Sequence, residues 1–248
     1  MWGDMIRLRI VLKSKKGKLR IPFNYNHILS AIIYKNIADL DLAYDLHSSS
    51  SFKFFTFSQI NISKRQMIKE GFISLNGSIS FLISSPNDYL VKSIVEGALD
   101  NLEIDFSGQK LFIEKIELLK EHEFKKKMNF TTLSPVTARV KKEIDGELKI
   151  RDLAPGDEFF NKLEKNLIKK FCEFNHLEET DKKIKIYSEM RNVKRKRIKI
   201  PKGPQTTFHR AYMMDFVLDG DEDLIKFAYE CGLGEKNSMG FGMLKVVQ

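Results

Sequence analysis

The sequence predicts an α+β fold in which one supersecondary order, β-α-β-β-α-β, is run twice. Three observations lead there. Apolar periodicity switches between strand-like and helix-like in that order from residue 5 to 119, and again, more loosely, from 129 to 247. The chain has 248 residues, the length of one large domain or two small ones. A short charged stretch, residues 121–127, separates the two runs. The order is that of the ferredoxin-like fold, so two tandem ferredoxin-like (RRM-like) domains are expected, at 1–122 and 123–248.

Residues 5–13 read MIRLRIVLK, where Ile6, Leu8 and Ile10 alternate with Arg7 and Arg9. That is a strand with one buried face and both arginines on the other. A basic loop, 13–20, follows. Asn26 is placed to cap a helix whose apolar stripe is Leu29, Ile32, Ile33 and Ile37. A short helical piece at 39–47 leads into a polar loop of four serines, 48–51. Strands are expected at 52–62 and 72–84, joined by a basic connection. Pro86 opens a helix to about residue 101, and a strand at 110–119 closes the unit.

The second unit reads as strands at 129–133 and 138–144, a helix at 159–174, strands at 183–200 and 206–218, a helix at 223–229 and a strand at 241–247. The acidic run 219–223 fits the start of that last helix better than a cation site. No RNP1-type aromatic run is present, so stacking of bases on an open sheet is not expected.

The formal net charge is +9, divided as +3 over residues 1–122 and +6 over 123–248. Such a balance favours a polyanionic partner. Cys172 and Cys231 have neither zinc nor redox spacing and read as buried small hydrophobes. No apolar run is long enough to span a membrane and no secretory signal is evident, so a cytoplasmic location is expected. No metal and no cofactor is called for by any motif.

The most specific local signal is Gly232-Leu233-Gly234-Glu235-Lys236-Asn237-Ser238-Met239-Gly240-Phe241-Gly242, four glycines in a loop between a helix and a strand. Glycine permits positive φ and close backbone approach, here to RNA phosphate or to the neighbouring domain. The spacing matches neither GxGxxG nor the P-loop, because Asn237 stands where a third glycine belongs. In this form and position the loop resembles the glycine-rich signature of the CRISPR repeat-cleaving endoribonucleases (the Cas-six type). The resemblance extends through Ile21-Pro22-Phe23, Ile33-Tyr34, Leu46-His47, Lys53-Phe54-Phe55-Thr56-Phe57-Ser58 and Thr132-Leu133-Ser134-Pro135.

That resemblance implies an active site of a Tyr, a His and a Lys, which fall on Tyr34, His47 and Lys53. It also implies repeat RNA as substrate, and a metal-independent cut by the 2′-hydroxyl that leaves a 2′,3′-cyclic phosphate and a 5′-hydroxyl. The residue chemistry is compatible. RNA brings its own nucleophile, so the protein must supply a base, an acid and positive charge at the phosphate. Imidazole titrates near about 6.5 and is the best proton carrier of the three. Taken singly, a histidine at a helix end, a tyrosine on an apolar helix and one lysine are ordinary surface or core residues.

Residues 185–202 hold eight Lys/Arg and one Glu. Flanking isoleucines suggest a β-hairpin with a solvated basic tip around Lys194, Arg195, Lys196 and Arg197. With Arg210, Arg7, Arg9 and the glycines Gly232, Gly234, Gly240 and Gly242, these are the expected RNA contacts. Arg139, Lys141 and Lys142 would extend the patch. CRISPR repeat RNA is the expected partner, with other CRISPR effector subunits, and the protein is expected as a monomer or homodimer. The rival function is a non-catalytic subunit that holds guide or repeat RNA.

Overall fold

The computed structural model describes residues 7–42, 52–120, 122–144, 146–202 and 205–247. Two antiparallel sheets organise it. In the first, β1 (Arg7–Ser14) lies between β6 (Ser78–Ser84) and β8 (Gln109–Leu119), with β3 (Thr56–Phe57) and β7 (Glu103–Phe106) at the edges. In the second, the order is β12 (Ile184–Tyr187), β15 (Asp215–Gly220), β9 (Lys127–Thr132), β16 (Leu244–Val247). Each has the first and third strands of its β-α-β-β-α-β unit side by side in the centre, the ferredoxin-like arrangement. Two such units in tandem are what the sequence pattern requires.

The alternation in β1 works as a strand should. Leu8, Ile10 and Leu12 are buried against α1 (Asn26–Lys35) and α2 (Asp88–Asp100). The register Ile10↔Phe81 and Ile10↔Ile116 puts apolar side chains in line across three strands. Asn87 caps α2, its side chain accepting from the N–H groups of Tyr89 and Leu90. In the second unit α3 (Asp157–Phe174) and α4 (Glu222–Cys231) lay Phe159, Leu163, Leu167, Leu224 and Ala228 on one core with Phe130 and Phe216. The acidic residues Glu222 and Asp223 do stand in the first turn of α4.

Several elements depart from the pattern expected from sequence. Part of the supposed basic loop is β2 (Leu19–Pro22), which joins β4 (Arg65–Ile68) and β5 (Gly71–Ser74) in a three-stranded sheet. The strand expected at 72–84 is thus two strands, and of 52–62 only Thr56–Phe57 forms a ladder. β7 and β11 (Glu147–Asp152) were not legible, being short and polar. The latter forms a hairpin with β10 (Arg139–Ile144). The stretch 183–200 is divided between β12 and β13 (Lys194–Lys202), and β13 pairs with β14 (Gln205–Met213). Asn26 is the first helical residue of α1 and caps nothing, because its amide is used elsewhere. Residues 40–42 form a helical turn that begins after Asp39; residues 43–47 of the piece expected at 39–47 lie outside the described residues.

Arg7, expected as an RNA contact, instead lies sealed between the two units. It is 4% exposed, its guanidinium lies 3.6 Å over the Tyr229 ring, and it donates to the carbonyls of Leu244 and Tyr229 at 2.9 Å each. Burial lowers its pKa to about 10. The face of β1 opposite the first core is therefore not solvated at this position. It is covered by the second unit.

Candidate active site and nucleic-acid interface

The glycine loop follows α4 and is held on three sides. Within it, Leu233 N–H donates to Gly242 O, and the Asn237 amide donates to the carbonyls of Leu233 and Phe241 at 3.0 Å. Gly234, Gly240 and Gly242 are sterically obligatory, and a Cβ on Gly234 would sit 2.3 Å from Thr137 O. A Cβ on Gly242 would sit 2.0 Å from Leu233 O, and one on Gly240 would sit 2.4 Å from the Phe57 ring. Both have φ near +80° (+82 and +78), where a side chain is strained in any case.

On the third side lies α1. Asn26, Ser30 and Tyr34 are spaced four apart and so share one face of that helix. Asn26 Nδ2 donates to Met239 O at 2.9 Å and Ser30 Oγ to Ser238 O at 3.0 Å. The Ser238 side chain lies close enough to the Tyr34 phenol to oppose the rise in its pKa. From β3, Thr56 Oγ1 donates to Phe241 O at 2.8 Å. The loop is thus docked on the first unit by a polar stripe. Its helical spacing in the sequence is the signal that could have found it.

Tyr34 is half-buried, with its ring edge-on to Phe55 at 5.6 Å. Burial pushes its phenol up, partly opposed by Ser238. Lys53 is also half-buried, three residues before β3, and burial lowers its ammonium. It lines a cleft of about 360 Å³ with Phe52, Arg139, Lys236, Asn237 and Ser238. Lys53 thus shares a cleft with Ser238, and Tyr34 lies beside that same residue. His47 lies outside the described residues. Arg139, considered above as a phosphate contact, is bound to Glu235 at 2.7 Å in a half-buried pair.

The expected RNA contacts separate into three groups. Gly232, Gly234, Gly240 and Gly242 are buried, and the backbone they bring close is this chain's own. Arg9 is exposed but paired with Glu117 across the strands at 3.0 Å. Lys194, Arg195, Lys196, Arg197 and Arg210 are exposed, and none has an ion pair among the described residues. The basic quartet runs along β13 itself instead of forming the hairpin's tip. Arg197 lies directly opposite Arg210, a like-charge pair that costs stability. Its guanidinium lies 4.1 Å over the exposed Phe208 ring.

Beside this face a second cleft of about 310 Å³ opens between β13 and the first unit. Phe23, Asn24, Gln59, Arg65, Phe72 and Arg197 line it. The hairpin is tied to its rim by Lys199 N–H donating to Asn24 Oδ1 at 3.2 Å. Aromatic rings, amides and arginines are the groups that hold single-stranded nucleic acid. The inner face of the hairpin packs Ile198, Ile200 and Ala211 on Phe241 of the glycine loop.

Family models match both halves: the Cas6 N-terminal type over residues 20–117 and the Cas6 C-terminal type over 119–246. The chain is 38% identical over 249 residues to CRISPR-associated endoribonuclease Cas6 1 of Methanocaldococcus jannaschii, covering 99% of this chain and 94% of that one. This chain belongs to the Cas6 family. Among solved structures it is similar to a CRISPR-associated Cas6 protein (TM-score 0.83, 35% identity, 98% and 99% of the two chains). A protein described as a RAMP protein binding different RNA substrates is similar as well (TM-score 0.85, 29% identity, 98% and 100%). Membership in this family of CRISPR-associated endoribonucleases agrees with the resemblance first carried by the glycine loop. Among the described residues no helix is long and apolar enough to cross a membrane.

Proposed function

We propose that the chain cuts precursor CRISPR RNA within its repeats, without a metal, leaving a 2′,3′-cyclic phosphate and a 5′-hydroxyl. Residues 1–122 and 123–248 would act as its two units, with the glycine loop as the seam. The observation that carries this reading is that Lys53 lines a cleft together with Lys236 and Ser238, while Tyr34 lies beside Ser238.

In this reading the 2′-hydroxyl gives up its proton and its oxygen attacks phosphorus. The bond to the 5′-oxygen breaks, and that oxygen takes a proton. Lys53 faces the phosphate and stabilises the charge that builds on its oxygens. A phenol raised by burial holds its proton at neutral pH, which suits Tyr34 to donate, not to abstract. His47 then takes the proton of the 2′-hydroxyl. The RNA strand runs from this cleft along β13, where Lys194, Arg195, Lys196, Arg197 and Arg210 meet its phosphates, with the cleft around Phe23 and Phe72 on its path. Other CRISPR effector subunits would receive the product.

The test is purified protein with end-labelled repeat RNA in EDTA, beside the same RNA carrying one 2′-deoxy at the cut. One cut that persists in EDTA and vanishes with the 2′-deoxy is the expected result. Tight binding with no cut would replace the enzyme by a subunit that holds the RNA.

A further inference from the structure

One titratable group lies in the wall of the cleft beside Lys53 without a role in the reading above, and is buried more completely than any other lysine described. Lys170, in the last turns of α3, is 1% exposed. Its Nζ donates to Gly232 O at 2.6 Å, Asn237 Oδ1 at 3.0 Å and Gly234 O at 3.3 Å. Three N–H groups thus meet three oxygens, and none of these is charged. The nearby Glu235 carboxylate is taken by Arg139.

Burying an ammonium in a helix that otherwise packs with Leu163, Leu167 and Phe171 is costly, and a methionine would fill the space. What the ammonium alone supplies is direction. By holding Asn237 Oδ1 it decides which way that amide points, so that Nδ2 faces the carbonyls of Leu233 and Phe241. Asn237 opens the 3-10 turn Asn237–Met239, whose middle residue is Ser238. Ser238 in turn receives Ser30 on its carbonyl, and its side chain lies beside the Tyr34 phenol.

We propose that Lys170 is a positioning residue, which sets the turn bearing Ser238 and thereby the orientation of the Tyr34 hydroxyl beside the cleavage cleft. The proposal rests on the reading of Tyr34 given above, but it makes a separate prediction. Lys170 acts through Asn237 and Tyr34, so its loss must be silent where those groups are already lost.

The experiment is single-turnover cleavage of repeat RNA by Lys170→Met, Asn237→Leu, Tyr34→Phe and the double variant Lys170→Met/Tyr34→Phe, with RNA affinity measured in parallel. Lys170→Met should slow cleavage about 30-fold or more, within the range for a misplaced catalytic group. Its RNA affinity should stay within about twofold, and the double variant should be no slower than Tyr34→Phe. Asn237→Leu breaks the same link from the loop side and stands in if Lys170→Met does not fold. Carbon-13 NMR of ring-labelled tyrosine gives a readout independent of turnover: either variant should shift the Tyr34 resonance and its titration. Wild-type cleavage rate in a folded Lys170→Met, an additive double variant, or an unmoved Tyr34 resonance would each overturn the proposal. Full cleavage by Tyr34→Phe would overturn the reading of Tyr34 instead, with the Tyr34 resonance still judging the positioning link.

Discussion

The glycine loop and the basic hairpin lie back to back, joined where Phe241 packs under Ile198, Ile200 and Ala211. The sequence offers both as contacts with RNA, the loop with the neighbouring domain as its other possible partner. The loop instead turns its backbone inward. Every glycine in it is buried, and its carbonyls receive Asn26, Ser30, Thr56 and Lys170. The hairpin turns its charge outward, with Arg197 facing Arg210 and no carboxylate paired with the quartet among the described residues. A glycine run reports that some backbone comes close, without saying whose. A run of unpaired like charge reports an absent anion more directly, because the repulsion is left standing until one arrives.

This contrast can be broken most sharply at the loop. Gly242→Ala should destabilise the protein by about 3 kcal/mol or more, since its Cβ would overlap Leu233 O at a left-handed φ. Chemical denaturation measures this, and a loss under about 1 kcal/mol would mean the loop is not locked as described. Arg7→Ala should cost about 3 kcal/mol, by leaving two buried carbonyls without donors, and should leave the salt dependence of RNA binding unchanged. A changed salt slope would make Arg7 a phosphate contact after all.

At the hairpin the expectation reverses. Replacing Lys194, Arg195, Lys196 and Arg197 by alanine should leave the fold intact and reduce the slope of log affinity against log salt by about 3, or about 0.7 for each phosphate no longer neutralised. An unchanged slope would place the RNA elsewhere. Where the two regions meet, His209 of β14 is 5% exposed and stacks edge-on to Phe241 at 6.1 Å. Burial and then the nearby Arg139 lower its pKa below that of a free imidazole. The unfolded chain therefore binds this proton first, so stability is lost as pH falls through about 6.5, the value of the unfolded side chain. His209→Gln should flatten that acid limb in melts from pH 7.5 to 5. Smallest of all, Arg9→Ala should change neither stability nor affinity measurably, because its exposed pair with Glu117 contributes little.

The sequence by itself determined the two β-α-β-β-α-β units, because periodicity two and 3.6 are local properties of the chain. Leu8, Ile10 and Leu12 had to share a face whatever lay beyond it. The small strands β2, β4, β7 and β11 were not legible, because each is a short partner whose pairing comes from another segment. What lies on the far side of a strand or loop is likewise a long-range fact. Arg7 and Arg9 are equivalent in the sequence, yet one is sealed under Tyr229 and the other faces solvent beside Glu117. Lys170 looks in the sequence like one more cation on an amphipathic helix, and only the docking of a loop sixty residues on surrounds it with three oxygens. Burial and partner identity depend on how the two units are packed, and no local pattern of side chains encodes that.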